Sequence, residues 1–216
     1  MITMGAATVV QRRFGHRAGG VVVGLPLTMA PFLVVLLVGA GPAVAGAAAR
    51  GSMVGQLGVV AFCLVYAHLA HRGAGPLLAL LSALGCAGGV ALGLSAVVVT
   101  WVALPITLAA VIAAGRALPP PPADVPARRA PWWELPARAA ASTAIVVVVA
   151  GSADVLGPRV AGVLAAVPVV LAVITPPTHH RDGRAAAEAL LRGTLRTLPA
   201  ATLFAAAFAF GLPLLA

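Results

Sequence analysis

Four arginines stand in a repeated pattern that bears on what this chain could bind. Arg17 and Arg159 each follow a glycine by two residues, in GHRAGGV and GPRVAGV, while Arg50 and Arg192 each stand directly before one, in ARGS and LRGT. A guanidinium carries five donors in a planar fork and keeps its charge at any working pH, so arginines in pairs suit a carboxylate, a phosphate or another small anion. Pro26 in GLPLTMAPF, with Thr28 two residues on, and Pro168 in AAVPVVLAV lie inside apolar runs, as do Pro31 and Pro105. A proline within an apolar helix removes a backbone hydrogen bond and leaves a carbonyl for a neighbour, a hydroxyl or a ligand to satisfy. Arg17, Arg50, Arg159, Arg192, Pro26, Thr28 and Pro168 are therefore the candidate binding residues. The competing accounts are arginines snorkelling to lipid phosphates and prolines that only kink a helix, with Thr28, Thr100 and Thr107 capping the freed carbonyls.

The remaining polar inventory is thin. The acidic residues are Asp124, Glu134, Asp154, Asp182 and Glu188, all away from the centres of apolar runs, and His16, His68, His71, His179 and His180 fall at run ends. No two metal-ligating residues share a helix face within a run, so no metal site, no hydrolytic carboxylate pair and no proton coupling through a buried carboxylate are expected. No catalytic residue and no cofactor are expected either, and the chain is not read as an enzyme. His179 and His180 belong to PPTHHRD, which reads as a surface loop. Cys63 and Cys86 lie within apolar runs and read as small packing residues. Asp154, close before Arg159, is placed to neutralise it.

The elements that must position these groups are membrane helices. Of 216 residues, 61% are hydrophobic and 9% charged, with a mean hydropathy of +1.06; a soluble domain carries roughly 25% charged residues. About 20 helical residues cross about 30 Å of hydrocarbon, and apolar runs of suitable length occur at 18–39, 52–71, 75–93, 95–115, 139–156, 160–175 and 198–215. The expected fold class is all-α: a polytopic integral membrane bundle of seven helices in a single membrane domain, or eight if the apolar stub at residues 1–11 also crosses. Residues 118–138, with Pro119 to Pro122, Pro126, Pro131 and Pro136, form an extended linker. All 14 basic residues are Arg, giving a net charge of +9, yet they cluster between the apolar runs, which is how topology charges behave and not how a nucleic-acid surface does. With the first run entering from the cytoplasm, every arginine but Arg50 and Arg159 falls inside, and Trp132 and Trp133 anchor the linker at the interface. This is the signature of a multi-pass protein of a bacterial cytoplasmic membrane.

The chain also matches itself at an offset of 142 residues. Gly15, Arg17, Gly20, Val21, Pro26 and Ala30 coincide with Gly157, Arg159, Gly162, Val163, Pro168 and Ala172. Gly41, Ala43, Ala45, Ala47, Arg50, Gly51, Phe62 and Ala67 coincide with Gly183, Ala185, Ala187, Ala189, Arg192, Gly193, Phe204 and Ala209. The matched runs are an odd number of crossings apart, so the copies point in opposite directions. Inversion also accounts for the two outward arginines, which the motif demands in each copy. The organisation is repeat A (1–72), two linking helices (73–117), the linker (118–138) and repeat B (139–216).

Within repeat B, AGVLAAVP followed by GRAAAEALLRGTLRTLPA resembles the GlpM-like family of small bacterial inner-membrane proteins, through Ala161, Gly162, Pro168, Gly183, Glu188, Ala189, Leu190 and Arg192. The likeness departs at Val167, where the family has an aromatic, and in the presence of two copies. It implies a multi-span inner-membrane protein and carries no activity. Small residues four apart, Gly20 with Gly24, Gly51 with Gly55, and Gly85 with Gly89 and Gly93, point to closely packed helices. The functional expectation is an inverted-repeat permease or exporter of a small anionic solute, with its site between the two proline-broken helices. The alternative is a non-transporting scaffold or assembly partner of an envelope complex.

Overall fold

The computed structural model describes residues 15–26, 29–97, 100–118, 140 and 168–211. Among these, the regular elements are all α-helices: α1 (His16–Gly24), α2 (Met29–Ala40), α3 (Pro42–His71), α4 (Pro76–Val97), α5 (Thr100–Ala117), α6 (Val169–Asp182) and α7 (Arg184–Gly211). Four stretches are long and apolar enough to cross a membrane: His16–Ala40 taken across the turn at Pro26, Pro42–His71, Pro76–Leu94 and Arg184–Gly211. The shorter apolar helix Leu104–Ala117 accompanies them. The expected run at 139–156, the start of the run at 160–175, the N-terminal stub, the linker, Thr28, Asp154 and Arg159 lie outside the described residues.

Helix boundaries follow local backbone chemistry. Leu25 is extended (φ −69, ψ 153) and ends α1, as a residue before proline must be. Pro26 then leads into α2, its carbonyl accepting from the Ala30 N–H at 2.8 Å, and Pro168 leads into α6 in the same way, accepting from Ala172 at 2.7 Å. Pro26 stands at the break between α1 and α2, within the membrane-length stretch His16–Ala40, and Pro168 caps the start of α6. Pro31 falls in the first turn of α2, and the interior prolines are Pro105 in α5, Pro176 and Pro177 in α6, and Pro199 in α7.

Further breaks come at glycine. Gly41 divides α2 from α3 and Gly183 divides α6 from α7, both at φ 86 and ψ 173, a region open in practice only to glycine. Each carbonyl then starts the following helix, Gly41 accepting from Ala45 at 3.1 Å and Gly183 from Ala187 at 3.4 Å.

The two longest helices form the centre. The first half of α3 (Ala48, Ala49, Met53, Val54) packs with the second half of α7 (Ala201, Ala205, Ala206, Ala209). Val59 to Ala70 of α3 pack in turn with Ala187 to Leu198 of α7 and with parts of α4, α5 and α6. The pair therefore crosses antiparallel. α1 runs along α7 in the same direction and at glycine contact: a Cβ on Gly20 would strike the Leu190 carbonyl, one on Gly24 the Thr197 hydroxyl, and one on Gly193 the Arg17 carbonyl. The Thr194 and Thr197 hydroxyls donate to Gly20 O at 3.2 Å and Val21 O at 3.0 Å. Gly85, Gly89 and Gly93 instead face open space, and the close approach to α4 is made by Gly58 of α3 against Ala87. Cys63 is buried and Cys86 is exposed, so only the first is a core packing residue.

Candidate functional site

Four helix termini converge at one end of the bundle: the start of α1, the end of α3, the end of α6 and the start of α7. There His16 Nε2 lies 3.5 Å from Asp182 Oδ2, with both side chains sealed from solvent. Arg181 grips the same carboxylate with two donors, Nε to Oδ1 at 3.2 Å and Nη2 to Oδ2 at 3.1 Å, the fork geometry that a carboxylate accepts best. His71 Nδ1 lies 3.4 Å from Oε1 of the buried Glu188, and Arg184 Nη1 donates to the His71 carbonyl at 3.0 Å. The hydroxyl of the fully buried Tyr66 and Nδ1 of His179 share a hydrogen bond at 3.2 Å. Burial first, then the neighbouring His180, hold His179 below the ordinary histidine pKa.

This end also gathers two of the candidate arginines. Arg17 is exposed on α1, and Arg192 is half-buried on α7 one turn beyond Glu188. The charges acting on Arg192 are Arg196 and Arg17, which repel it, and Glu188, which attracts it. Arg50 sits at the opposite end, half-buried in the third turn of α3, with its Nη1 folded back over Gly46. At the 142-residue offset Gly46 corresponds to Glu188, so Arg50 lacks the intrahelical carboxylate that Arg192 has. His16 and Asp182 meet at that shared end, with Pro26 just past the far end of α1 and Pro168 just before the far end of α6.

Buried polar side chains are interspersed with the two apolar clusters. Ser52 and Gln56 of α3, Thr107 of α5, and Thr194 and Thr202 of α7 are all buried. Thr107 Oγ1 donates across helices to Met53 O at 3.3 Å, and Thr202 turns back on Leu198 O at 3.0 Å. Gln56 is buried at the midpoint of α3. Thr175 Oγ1 is buried with no hydrogen-bond partner among the described residues. It adjoins Pro176 and Pro177, which leave the Ala172 and Val173 carbonyls without helical donors.

Two sequence expectations are corrected here. PPTHHRD is the last part of helix α6, with Leu171, Ile174, Thr175 and Thr178 buried at helical spacing; that spacing was the available signal, masked by the proline pair. The carboxylates of Asp182 and Glu188 are buried and paired with histidines, although a buried carboxylate was not expected. Glu188 and Arg192 join the cluster from one face of α7. Among the described residues, no three His, Cys, Asp or Glu side chains are grouped to hold a metal ion. No family model matches the chain, and no curated protein or solved structure matches it.

Proposed function

We propose that the chain is an inverted-repeat permease or exporter of a small anionic solute, crossing the bacterial cytoplasmic membrane seven times. The observation that carries the reading is the antiparallel crossing of α3 and α7, helices related by the 142-residue offset, with buried polar side chains, Gln56 among them, along the crossing. Polar groups at membrane depth are costly to bury and are tolerated where they are paired or line a path. Other features support the inversion. Gly41 and Gly183 share one backbone conformation, Pro26 and Pro168 start helices alike, and every buried position of α7 except Ala186 and Ala206 falls at the offset on a buried position of α3. The four termini assigned to the cytoplasmic side by their arginines are the ones that meet, which supports the span order.

On this reading the solute contacts Gln56 and the threonines at mid-depth, and Arg17 with Arg192 on one face and Arg50 with Arg159 on the other draw it in. The test is anion binding to purified protein, followed as a concentration-dependent rise in thermal midpoint, with Arg50→Gln and Arg192→Gln each measured with and without anion. A binding role predicts loss of the rise with little change in the anion-free midpoint. A snorkelling role predicts an unchanged rise and a stability change of about 1 kcal/mol or less. The second reading, a non-transporting scaffold, draws on the glycine contact of α1 with α7, which leaves no space between those two helices. It predicts no anion effect in any variant.

A further inference from the structure

The two histidine–carboxylate pairs at the convergent end differ in access to water. In His71–Glu188 the imidazole is 52% exposed, whereas in His16–Asp182 the side chains are 1% and 0% exposed. In the first pair the imidazole of His71 stays in contact with water although Glu188 is buried. The sealed pair has no such contact, and withdrawing ionisable groups from water costs several kcal/mol each, whereas apolar residues of similar volume would join α1 to α6 as well. Imidazole is also the side chain whose ordinary titration falls closest to neutral pH. His16 opens α1, a helix of nine residues that ends at Leu25 and rests on α7 through glycine contacts and two threonine hydrogen bonds. A change of charge at its first residue therefore acts on the seating of the whole helix.

We propose that His16–Asp182 is a proton-binding site. One proton from the cytoplasmic side adds to the His16 imidazole, forming an N–H bond and an imidazolium whose counter-ion is Asp182. Arg181 keeps its two contacts with the carboxylate in both states, so His16, Asp182 and Arg181 together alternate between net charges of 0 and +1. The other titratable and charged groups on the helix ends that meet here are Arg17 of α1; Tyr66, His68, His71 and Arg72 at the end of α3; His179 and His180 of α6; and Arg184, Glu188, Arg192 and Arg196 of α7. Five are arginines and one is a carboxylate, so a second positive charge is tolerated at His16 only while Asp182 stays beside it. Proton occupancy then sets how firmly α1 is held to α6 and α7. Resting on the permease reading, this is the site of a coupling proton, so that the anion moves with a proton.

The proton site is tested without any solute. Full-length protein in lipid nanodiscs is followed by amide hydrogen exchange over residues 16–24 at about pH 5.5 and about pH 8, on either side of the ordinary histidine value, after correction for intrinsic exchange rates. The native protein should show a change in protection of about tenfold or more between the two conditions. His16→Gln and Asp182→Asn should abolish it, and His71→Gln should preserve it. Absence of the change in native protein, or its survival in His16→Gln, overturns the proposal. Should His16→Gln not fold, Asp182→Asn carries the same expectation, since it keeps the imidazole and the shape of its partner. The coupling is read separately in proteoliposomes with inorganic phosphate as probe, as the ratio of flux with and without a pH gradient. That ratio should fall to about 1 in His16→Gln; a ratio equal to that of native protein overturns the coupling. No flux under any condition, with the exchange result intact, counts against the permease reading and leaves the proton site standing.

Discussion

Replacing Gly20 or Gly193 by alanine tests the packing that holds α1 in place. A Cβ at Gly20 would meet the Leu190 carbonyl and the Thr194 nitrogen, and one at Gly193 would meet the Arg17 carbonyl and the Val21 nitrogen. These are backbone atoms on both sides, so no side-chain rotation relieves the contact and α1 must move off α7. That movement breaks the bonds from Thr194 to Gly20 O and from Thr197 to Val21 O, each of about 0.6 kcal/mol in a membrane bundle. Overpacking strain adds about 1–3 kcal/mol. The expected loss is about 2–4 kcal/mol for either variant. Gly89→Ala is the control: nothing lies within contact of a Cβ there, and replacing a helical glycine gains up to about 1 kcal/mol. Reversible unfolding in mixed micelles, with helicity as the signal, measures all three. A Gly20→Ala variant within about 0.5 kcal/mol of the native protein, or a Gly89→Ala variant as unstable as Gly20→Ala, would refute the argument.

Gly41→Ala and Gly183→Ala should each cost about 1–3 kcal/mol, because alanine is strained at φ 86 and ψ 173; the same unfolding assay should find the two losses alike, and a loss at one position only would count against their equivalence. His179 is held below its ordinary pKa by burial and His180, so the unfolded chain binds its proton more readily than the folded one. Its contribution to stability is therefore present above about pH 6.5 and is lost as pH falls through that value; the stability gap between native protein and His179→Gln should narrow on acidification, and a gap that widens refutes the assignment. Reporter fusions at Pro122 and after Ala216 should report opposite sides of the membrane, with Pro122 cytoplasmic; a cytoplasmic C-terminus would break the odd span count.

What the sequence made legible was carried by pattern and by backbone chemistry. Apolar runs separated by arginines announced membrane-length helices, but the second run was read from residue 52 while α3 begins at Pro42. Arg17 and Arg192 lie near enough to repel each other. The prolines were read unevenly. Pro26 marks a break between two helices as its place in an apolar run suggested, while Pro176 and Pro177 looked like a loop but are carried inside α6, whose buried Leu171, Ile174, Thr175 and Thr178 hold the helix to its neighbours. The buried pairs were out of reach for a different reason. His16 and Asp182 belong to opposite ends of the chain, and a local reading of spacing cannot bring them within 3.5 Å.

The central claim is that this bundle moves a small anion across a membrane, and flux measures it most directly. Proteoliposomes loaded with a small labelled anion, tested in turn with phosphate, sulfate and acetate, should release at least one of them faster than protein-free vesicles. The release should be saturable, and Gln56→Leu should reduce it while keeping the protein inserted. Release no faster than from empty vesicles for any of the three, by protein shown to be folded and inserted, would contradict the account and favour the scaffold.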